Sequence, residues 1–368
     1  MFNDTMDTFK RYDYTFFGGM FAIFAIGVTN LYSATHADRA GLQELYMYQA
    51  VWFCIALSVG FALSFISSKT FFRYSYIIFI GNVFLLVLVL LLGKIGMGAQ
   101  RWLAIGPFRL QPSELMKIST VLALSRWFAR SGPDRELTIK ELLVPLLIVM
   151  VPAVLVIVQP DLGTGMLLIL ILAVMVFYRK LSWKSIWIIV VIAIMCGGVM
   201  YKYGLKEYQR KRIITFIDPH ADAKGSGYNA IQSEIAIGSG RLLGKGYMKS
   251  SQGALAFLPE NHTDFVFSIF NEEHGFIGAL FLISLYLILF FRYIWLATSV
   301  QHFFESVATI GFMAIIFWHT FINMCMVTGL MPVVGIPLPM MSYGGSSMLT
   351  FGIVTGIATS FSNSKNLF

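Results

Sequence analysis

Charge is scarce in this chain. Asp, Glu, Lys and Arg make up only 12% of its 368 residues, about half of the roughly 25% usual for a soluble domain. An ordinary water-soluble fold is thereby excluded. Cysteine is scarce too: Cys54, Cys196 and Cys325 each fall in an apolar stretch, too few for a disulfide framework, and they read as small core residues. Zinc-type spacing is absent. His262, Asp264, Glu272, Glu273 and His274 cluster in sequence, but Glu272, Glu273 and His274 cannot all face one way on a helix. A nucleotide phosphate loop is absent as well. Around Gly238–Gly246 the GxxxxGK pattern needs Gly where Ser239 stands, and Gly246 takes the place of the required Ser or Thr. Neither an internal repeat nor a low-complexity tract interrupts the chain, so 1–368 is read as a single domain.

What the chain has is apolar length. It is 57% hydrophobic with mean hydropathy +0.73, and apolar runs of about 20 residues recur, enough to cross about 30 Å of hydrocarbon. The expectation is an all-α polytopic membrane protein with about ten spans: 14–32, 47–66, 71–92, 112–129, 141–158, 163–179, 185–203, 267–292, 304–328 and 344–362. The first is taken as a retained span, since Ser33–Ala37 resembles a cleavage site only faintly. A large loop, about 204–266, separates spans seven and eight. Positive charge orients the bundle. With the N-terminus inside, one face holds Lys10, Arg11, Lys69, Arg73, Arg126, Arg130, Arg135, Lys140, Arg179, Lys180, Lys184, Arg292 and Lys365, against Arg39, Lys94, Arg101 and Arg109 on the other. Both termini are therefore expected in the cytoplasm and the large loop outside. The net charge of +8 follows from this asymmetry and calls for no nucleic-acid partner.

Ionisable residues inside spans are costly and point to function. Glu114 and Lys117 lie three apart behind Pro112 and can pair on one helix face. Two readings stand, a self-neutralising pair or the wall of a polar cavity that holds substrate. Upstream, Arg101 and Trp102 fit either an interfacial anchor or a grip on phosphate and sugar. Asp161, after Pro160, reads first as a helix cap. The stretch Pro332–Ser347 holds Gly335, Pro337, Pro339, Ser342, Gly344 and Gly345. Such backbone cannot be helical, and at membrane depth it must be satisfied by protein or by a watery cavity. It is a candidate re-entrant wall of a site. Gly352, Gly356 and Ser360, four apart, suit close helix packing.

The large loop is a polar island. Lys206–Arg212 reads as a basic helix broken at Asp218–Pro219, and Asn229–Ile237 as a short amphipathic helix. The island carries Arg210, Lys211, Arg212, Arg241, Lys245 and Lys249 and ends in Leu258, Pro259, Glu260, Asn261, His262, Thr263 and Asp264, directly before Phe265. Partial desolvation at that junction would raise the Asp264 pKa toward that of a general base, and nearby cations would oppose the shift. The competing reading is an N-cap for the following helix. A carboxylate and cations at a lipid–water boundary suggest chemistry on an anionic, lipid-linked substrate.

Taken in order, these motifs resemble the SEDS family (shape, elongation, division and sporulation) in its RodA-type branch. The resemblance is carried by Arg101-Trp102-Leu103, Gln111-Pro112-Ser113-Glu114 with Lys117, Gln159-Pro160-Asp161-Leu162-Gly163-Thr164, Tyr208-Gln209-Arg210 with Asp218-Pro219, Ile231-Gln232-Ser233, Leu258-Pro259-Glu260 with His262-Thr263-Asp264, and Pro337-Leu338-Pro339 with Ser342-Tyr343-Gly344-Gly345-Ser346. It implies a peptidoglycan glycosyltransferase in the bacterial inner membrane that polymerises lipid II at the outer face. It also implies a large-lipid-donor architecture, a class B penicillin-binding protein as partner, and Asp264 at the family's proposed catalytic position.

On that basis an inverting single displacement is expected, with Asp264 as base and undecaprenyl pyrophosphate as leaving group. One carboxylate suffices because the leaving group needs no protonation, unlike that of a glycosidase. Arg101, Arg210, Arg212 and Lys117 are candidates to hold the pyrophosphate, and Trp102, Glu114, His262 and Ser342 to line the substrate site. A divalent cation, magnesium or manganese, is a candidate to share the work, since Mg²⁺ needs only one or two protein carboxylates. A lipid II flippase and a scaffold that only activates the transpeptidase are the rival readings.

Overall fold

The computed structural model describes residues 12–36, 44–96, 99–105, 108–132, 136–189, 191, 204, 207–219, 225–254, 258 and 262–366. Its helices are α1 (Thr15–His36), α2 (Leu45–Leu63), α3 (Ser68–Leu92), α4 (Pro112–Arg130), α5 (Leu143–Val158), α6 (Leu162–Tyr178), α7 (Glu207–Ile217), α8 (Ser226–Gly240), α9 (Val266–Ser299), α10 (Phe303–Val327) and α11 (Gly345–Asn366). Nine of the ten expected spans coincide with these helices. For the seventh, residues 183–189 are helical and most of the remainder lies outside the described residues.

Polarity is inverted relative to a soluble protein. Ile77, Ile80, Phe84, Leu91, Phe177 and Phe291 are exposed, whereas Asn30, Glu114, Lys117, Glu272, Glu273, His319 and Asn323 are buried. An apolar surface this extensive belongs against hydrocarbon rather than water. Helices α1, α2, α3, α9 and α10 are long and apolar enough to cross a membrane. Helices α5 and α6, of 16 and 17 residues, rise only about 24–26 Å and are joined by the turn at Gln159–Pro160, where Pro160 adopts φ 25°. Cys54 is exposed, which corrects the expectation of a core thiol: it faces the lipid side of α2. Cys325 is partly buried, and Cys196 lies outside the described residues.

The seam between α2 and α11 rests on small residues, as the four-residue spacing predicts. A Cβ on Gly352 would lie 2.4 Å from the Ala56 carbonyl oxygen, and one on Gly356 2.2 Å from that of Gly60. Ser360 Oγ donates to the Ile66 carbonyl at 2.5 Å. Backbones therefore meet directly along this seam, the geometry that glycine permits in a membrane bundle.

One feature was not expected. Between α3 and α4 the chain forms a three-stranded antiparallel sheet, β1 (Lys94–Gly96), β2 (Ala99–Ile105) and β3 (Phe108–Leu110), in the order β1-β2-β3. Lys94 pairs with Trp102 and Leu103 with Leu110. The strands are too short to show a period-2 pattern against the apolar background, so sequence periodicity does not reveal them.

The loop before α9 is locked to that helix by a break in it. Gly275 adopts φ 65°, ψ −165°, which interrupts the helical ladder and frees backbone groups on either side. Residues 241–246 take them up: Phe276 N–H donates to Arg241 O at 2.9 Å, Ile277 N–H to Leu242 O at 3.1 Å, and the Lys245 and Gly246 N–H groups donate to Glu272 O and Glu273 O at 2.9 and 3.0 Å. Lys245 Nζ also pairs with the buried Glu272 carboxylate at 2.5 Å. A Cβ on Gly275 would stand 2.3 Å from Gly244 N and 2.6 Å from Leu242 O. Gly275→Ala should therefore cost on the order of 1–3 kcal/mol of strain and open the 241–250 segment. Limited proteolysis should show new cleavage there, with a lower Tm in detergent.

Candidate active site

The segment Val334–Pro339 is irregular backbone laid across the end of the bundle, and different elements satisfy it residue by residue. Arg212 of α7 donates from its guanidinium to Val334 O at 3.2 Å. Asn323 Nδ2 of α10 donates to Ile336 O at 2.8 Å. His319, one helical turn earlier, places Nδ1 3.2 Å from Pro337 O. Ser342 Oγ accepts from Leu338 N at 2.8 Å, and Tyr286 OH of α9 donates to Pro339 O at 2.5 Å. Gly163, at the start of α6, packs so closely that a Cβ there would lie 2.7 Å from Val334 Cγ1.

Gly335 lies in the middle of this segment with φ 80°, a conformation that glycine adopts at no steric cost. A Cβ on it would come within 3.2 Å of Asp264 Oδ2. The glycine therefore leaves the space beside the carboxylate open. Asp264 is partly exposed, and its carbonyl accepts from the same Asn323 amide that holds Ile336, at 2.9 Å. Its neighbours are fixed as well. Ser342 Oγ donates to Thr263 O at 2.6 Å, and Tyr343 N donates to His262 O at 2.9 Å. Gln49 of α2 anchors the far side, with Nε2 on Ser342 O at 2.9 Å and Oε1 accepting from Gly344 N at 3.2 Å. Burial, and then the nearby Tyr48, raise the Tyr343 phenol above its ordinary pKa, so it stays a neutral hydroxyl beside His262, 6.3 Å between rings.

The N-cap of α9 is Phe265, with no side-chain cap bond. Asp264 stands one place upstream of that position. Asp161 behaves in the opposite way. It caps α6, accepting from Thr164 N at 3.2 Å and Thr164 Oγ1 at 3.0 Å, and takes a further bond from Gln111 Nε2 at 3.2 Å. Arg101, on β2, braces the turn before it by donating to the Gln159 and Pro160 carbonyls. Trp102 follows on the same strand, partly exposed.

Glu114 and Lys117 pair at 2.8 Å, with Lys117 fully buried and Glu114 nearly so. The pair does not neutralise itself in isolation. Lys117 Nζ also lies 2.6 Å from His319 Nε2, so with the lysine as donor Nε2 accepts and Nδ1–H donates to Pro337 O. An unbroken chain of polar contacts thus runs from Glu114 through Lys117 and His319 to the segment that borders Asp264. Of the sequence candidates, Asp264, Arg212, Glu114, Lys117, His262 and Ser342 converge on Val334–Ser342, and Arg101 reaches it through the α6 turn that abuts Val334. Arg210 is exposed on α7. Sequence reasoning missed His319, Asn323 and Gln49. The signal was present, since a histidine in the apolar run Phe303–Val327 is a polar group at a cost inside a membrane span.

A family model for the FtsW/RodA/SpoVE cell cycle proteins matches residues 14–367. The architecture and the junction site define the class, a multi-pass helical membrane protein with one carboxylate presented at the end of its bundle. The chain belongs to the FtsW/RodA/SpoVE family. It is 43% identical over 290 residues to the peptidoglycan glycosyltransferase MrdB of Escherichia coli K12, covering 78% of this chain and 77% of that one. It is 28% identical to the peptidoglycan glycosyltransferase RodA of Treponema pallidum, covering 97% and 98%. Among solved structures, a peptidoglycan synthase complex that coordinates polymerization and crosslinking superposes with TM-score 0.81 at 29% identity, over 96% of this chain and 98% of that one. The rod shape determining protein RodA of Thermus thermophilus superposes with TM-score 0.71 at 27% identity, over 96% and 97%.

Removing one partner of a buried ion pair strands the other. Lys117→Met should cost about 3–5 kcal/mol, and the double variant Glu114→Gln/Lys117→Met should recover part of that loss. Thermal unfolding in detergent reads both, and equal destabilisation by the single and double variants would contradict the pairing.

Proposed function

We propose that this protein polymerises lipid II into glycan strands at the outer face of the bacterial inner membrane, with both termini in the cytoplasm. The observation that carries the reading is the Asp264 carboxylate. It stands at the lip of the bundle, upstream of the cap position, with Gly335 leaving space beside it. The names borne by its relatives support the reaction class.

In the reaction, Asp264 takes the proton of the acceptor sugar's 4-hydroxyl as that oxygen bonds to the donor's anomeric carbon. The bond from that carbon to the pyrophosphate oxygen breaks, and undecaprenyl pyrophosphate carries away the electron pair and the negative charge. No second carboxyl is needed, because the leaving group is stable as an anion. Each guanidinium has five N–H groups. Arg212 commits one contact to the Val334 carbonyl and Arg101 two to the α6 turn. In this proposal the remaining donors hold the pyrophosphate where charge develops, with Arg210 supplying long-range attraction from α7. Trp102 offers an apolar face to a sugar. Lys117 and Glu114, being buried, act on the substrate through the loop they support, as do Ser342 and His262.

A magnesium or manganese ion carried in on the pyrophosphate is part of the proposal. Among the described residues no three His, Cys, Asp or Glu side chains gather into a metal cluster. No step above runs through a metal ion held by the protein. The proposed partner is a class B penicillin-binding protein, in keeping with the synthase complex whose chain superposes on this one.

Purified protein with its transpeptidase partner, given labelled lipid II, should yield polymer, and Asp264→Asn should yield none while keeping the parent Tm. Equal polymer from both would remove Asp264 from the role of base. Lipid II movement across liposomes without polymer would favour a flippase.

A further inference from the structure

A second site lies at the end of the helices remote from Asp264. There the first turns of α3 and α10 and the last turns of α4 enclose a cavity of about 980 Å³ lined by Ser68, Lys69, Arg73, Arg126, His302 and Glu305. Asp264 precedes α9 and contacts the loop that follows α10, whereas this cavity meets α10 at its beginning. The two are separated by the length of the bundle, and the reaction above uses nothing in the cavity.

Basic residues at this end are expected from the charge asymmetry that orients a membrane protein, so Lys69 and Arg73 alone would mean little. Glu305 is the informative residue. It is 3% exposed. One hydrogen bond comes from Ser68, yet its Oε1 has no hydrogen-bond partner. A buried carboxylate oxygen left unsatisfied is costly. Opposite it, the wall is built rather than loose. Arg126 donates to the Arg73 carbonyl at 2.6 Å and lies over the rings of Phe72 and Tyr76, at 5.2 and 4.5 Å. Phe72 in turn meets Phe304 edge-on at 5.3 Å. That stacking fixes Arg126, and Lys69 and Arg73 remain exposed at the mouth. Tyr74, 44% exposed, also lines the mouth, and Ile77 one turn on is exposed toward the lipid. An exposed tyrosine above an apolar helix face marks headgroup depth.

The cavity therefore offers Lys69 and Arg73 at the rim, the fixed Arg126 in its wall and one under-satisfied carboxylate inside, at the level of lipid headgroups. A purely anionic ligand would suit the cations and be repelled by Glu305. A ligand carrying a phosphate and an ammonium a few bonds apart suits both. We propose that this cavity binds the headgroup of an aminophospholipid, with Lys69 and Arg73 holding the phosphate and Glu305 accepting from the primary ammonium. The proposal depends on the protein spanning a membrane and is independent of its catalytic role.

Native mass spectrometry of the full-length protein, exchanged into micelles with phosphatidylethanolamine or phosphatidylglycerol, tests it. Phosphatidylethanolamine should be retained about tenfold more strongly than phosphatidylglycerol, the scale of one charge-assisted contact. Glu305→Gln should remove that preference. Lys69→Ala/Arg73→Ala, which alters only exposed side chains and leaves the fold intact, should weaken retention of both lipids. Inorganic phosphate at millimolar concentration should displace neither. Equal retention of the two lipids by the parent protein would overturn the proposal. So would retention unchanged in the Lys69/Arg73 variant, or displacement by free phosphate, which would make the site one for a soluble anion.

Discussion

The structure around Asp264 depends on one constraint, that irregular backbone at the end of a membrane bundle must have its carbonyls and amides satisfied by side chains. From Val334 to Pro339 the chain has no helix or strand partner, and Arg212, Asn323, His319, Ser342 and Tyr286 supply what secondary structure would otherwise provide. Water could do this on an exposed loop. Here Ile336, Leu338, Met340 and Met341 are buried, so each unmet group would carry its full desolvation cost. The arrangement is accordingly cooperative: α2, α7, α9 and α10 meet on one short segment, and that segment sets the space beside the carboxylate.

This explains why costly residues sit where they do. Lys117 is fully buried because Glu114 and His319 accept from it, and His319 can accept because its other nitrogen donates to Pro337 O. Asn323 holds the Asp264 and Ile336 carbonyls with one amide, so Asp264 is tied to the segment opposite it. The Gly275 break in α9 does similar work by giving the 241–246 loop a ladder to join. Such support holds a half-exposed carboxylate in a fixed geometry, the property that the proposed general base requires.

Much of the fold was legible in the sequence because the bilayer imposes length and polarity on every span. Nine spans appear as expected, together with the Gly352–Gly356 seam and the Asp161 cap. The sheet at Lys94–Leu110 was not legible, because its strands are too short to impose a period and its neighbours are equally apolar. Asp264, Arg212, Glu114 and Lys117 were found because charge is rare in this chain. His319 and Asn323 were missed because neutral polar residues inside an apolar run draw less notice, and because their task is to hold a carbonyl segment whose path only the folded chain defines. Ser342 was expected near substrate, and in the structure its hydroxyl bonds Leu338 N and Thr263 O.

The central claim is that this satisfied segment holds Asp264 in its working position. Steady-state polymerisation by Asn323→Leu, which keeps side-chain size and removes the amide, tests it most directly alongside a Tm measurement. The account predicts a fall in kcat of about tenfold or more, from about 1.4 kcal/mol or more of lost positioning, with KM for lipid II near that of the parent and the fold retained. An unchanged kcat in a folded variant would contradict it.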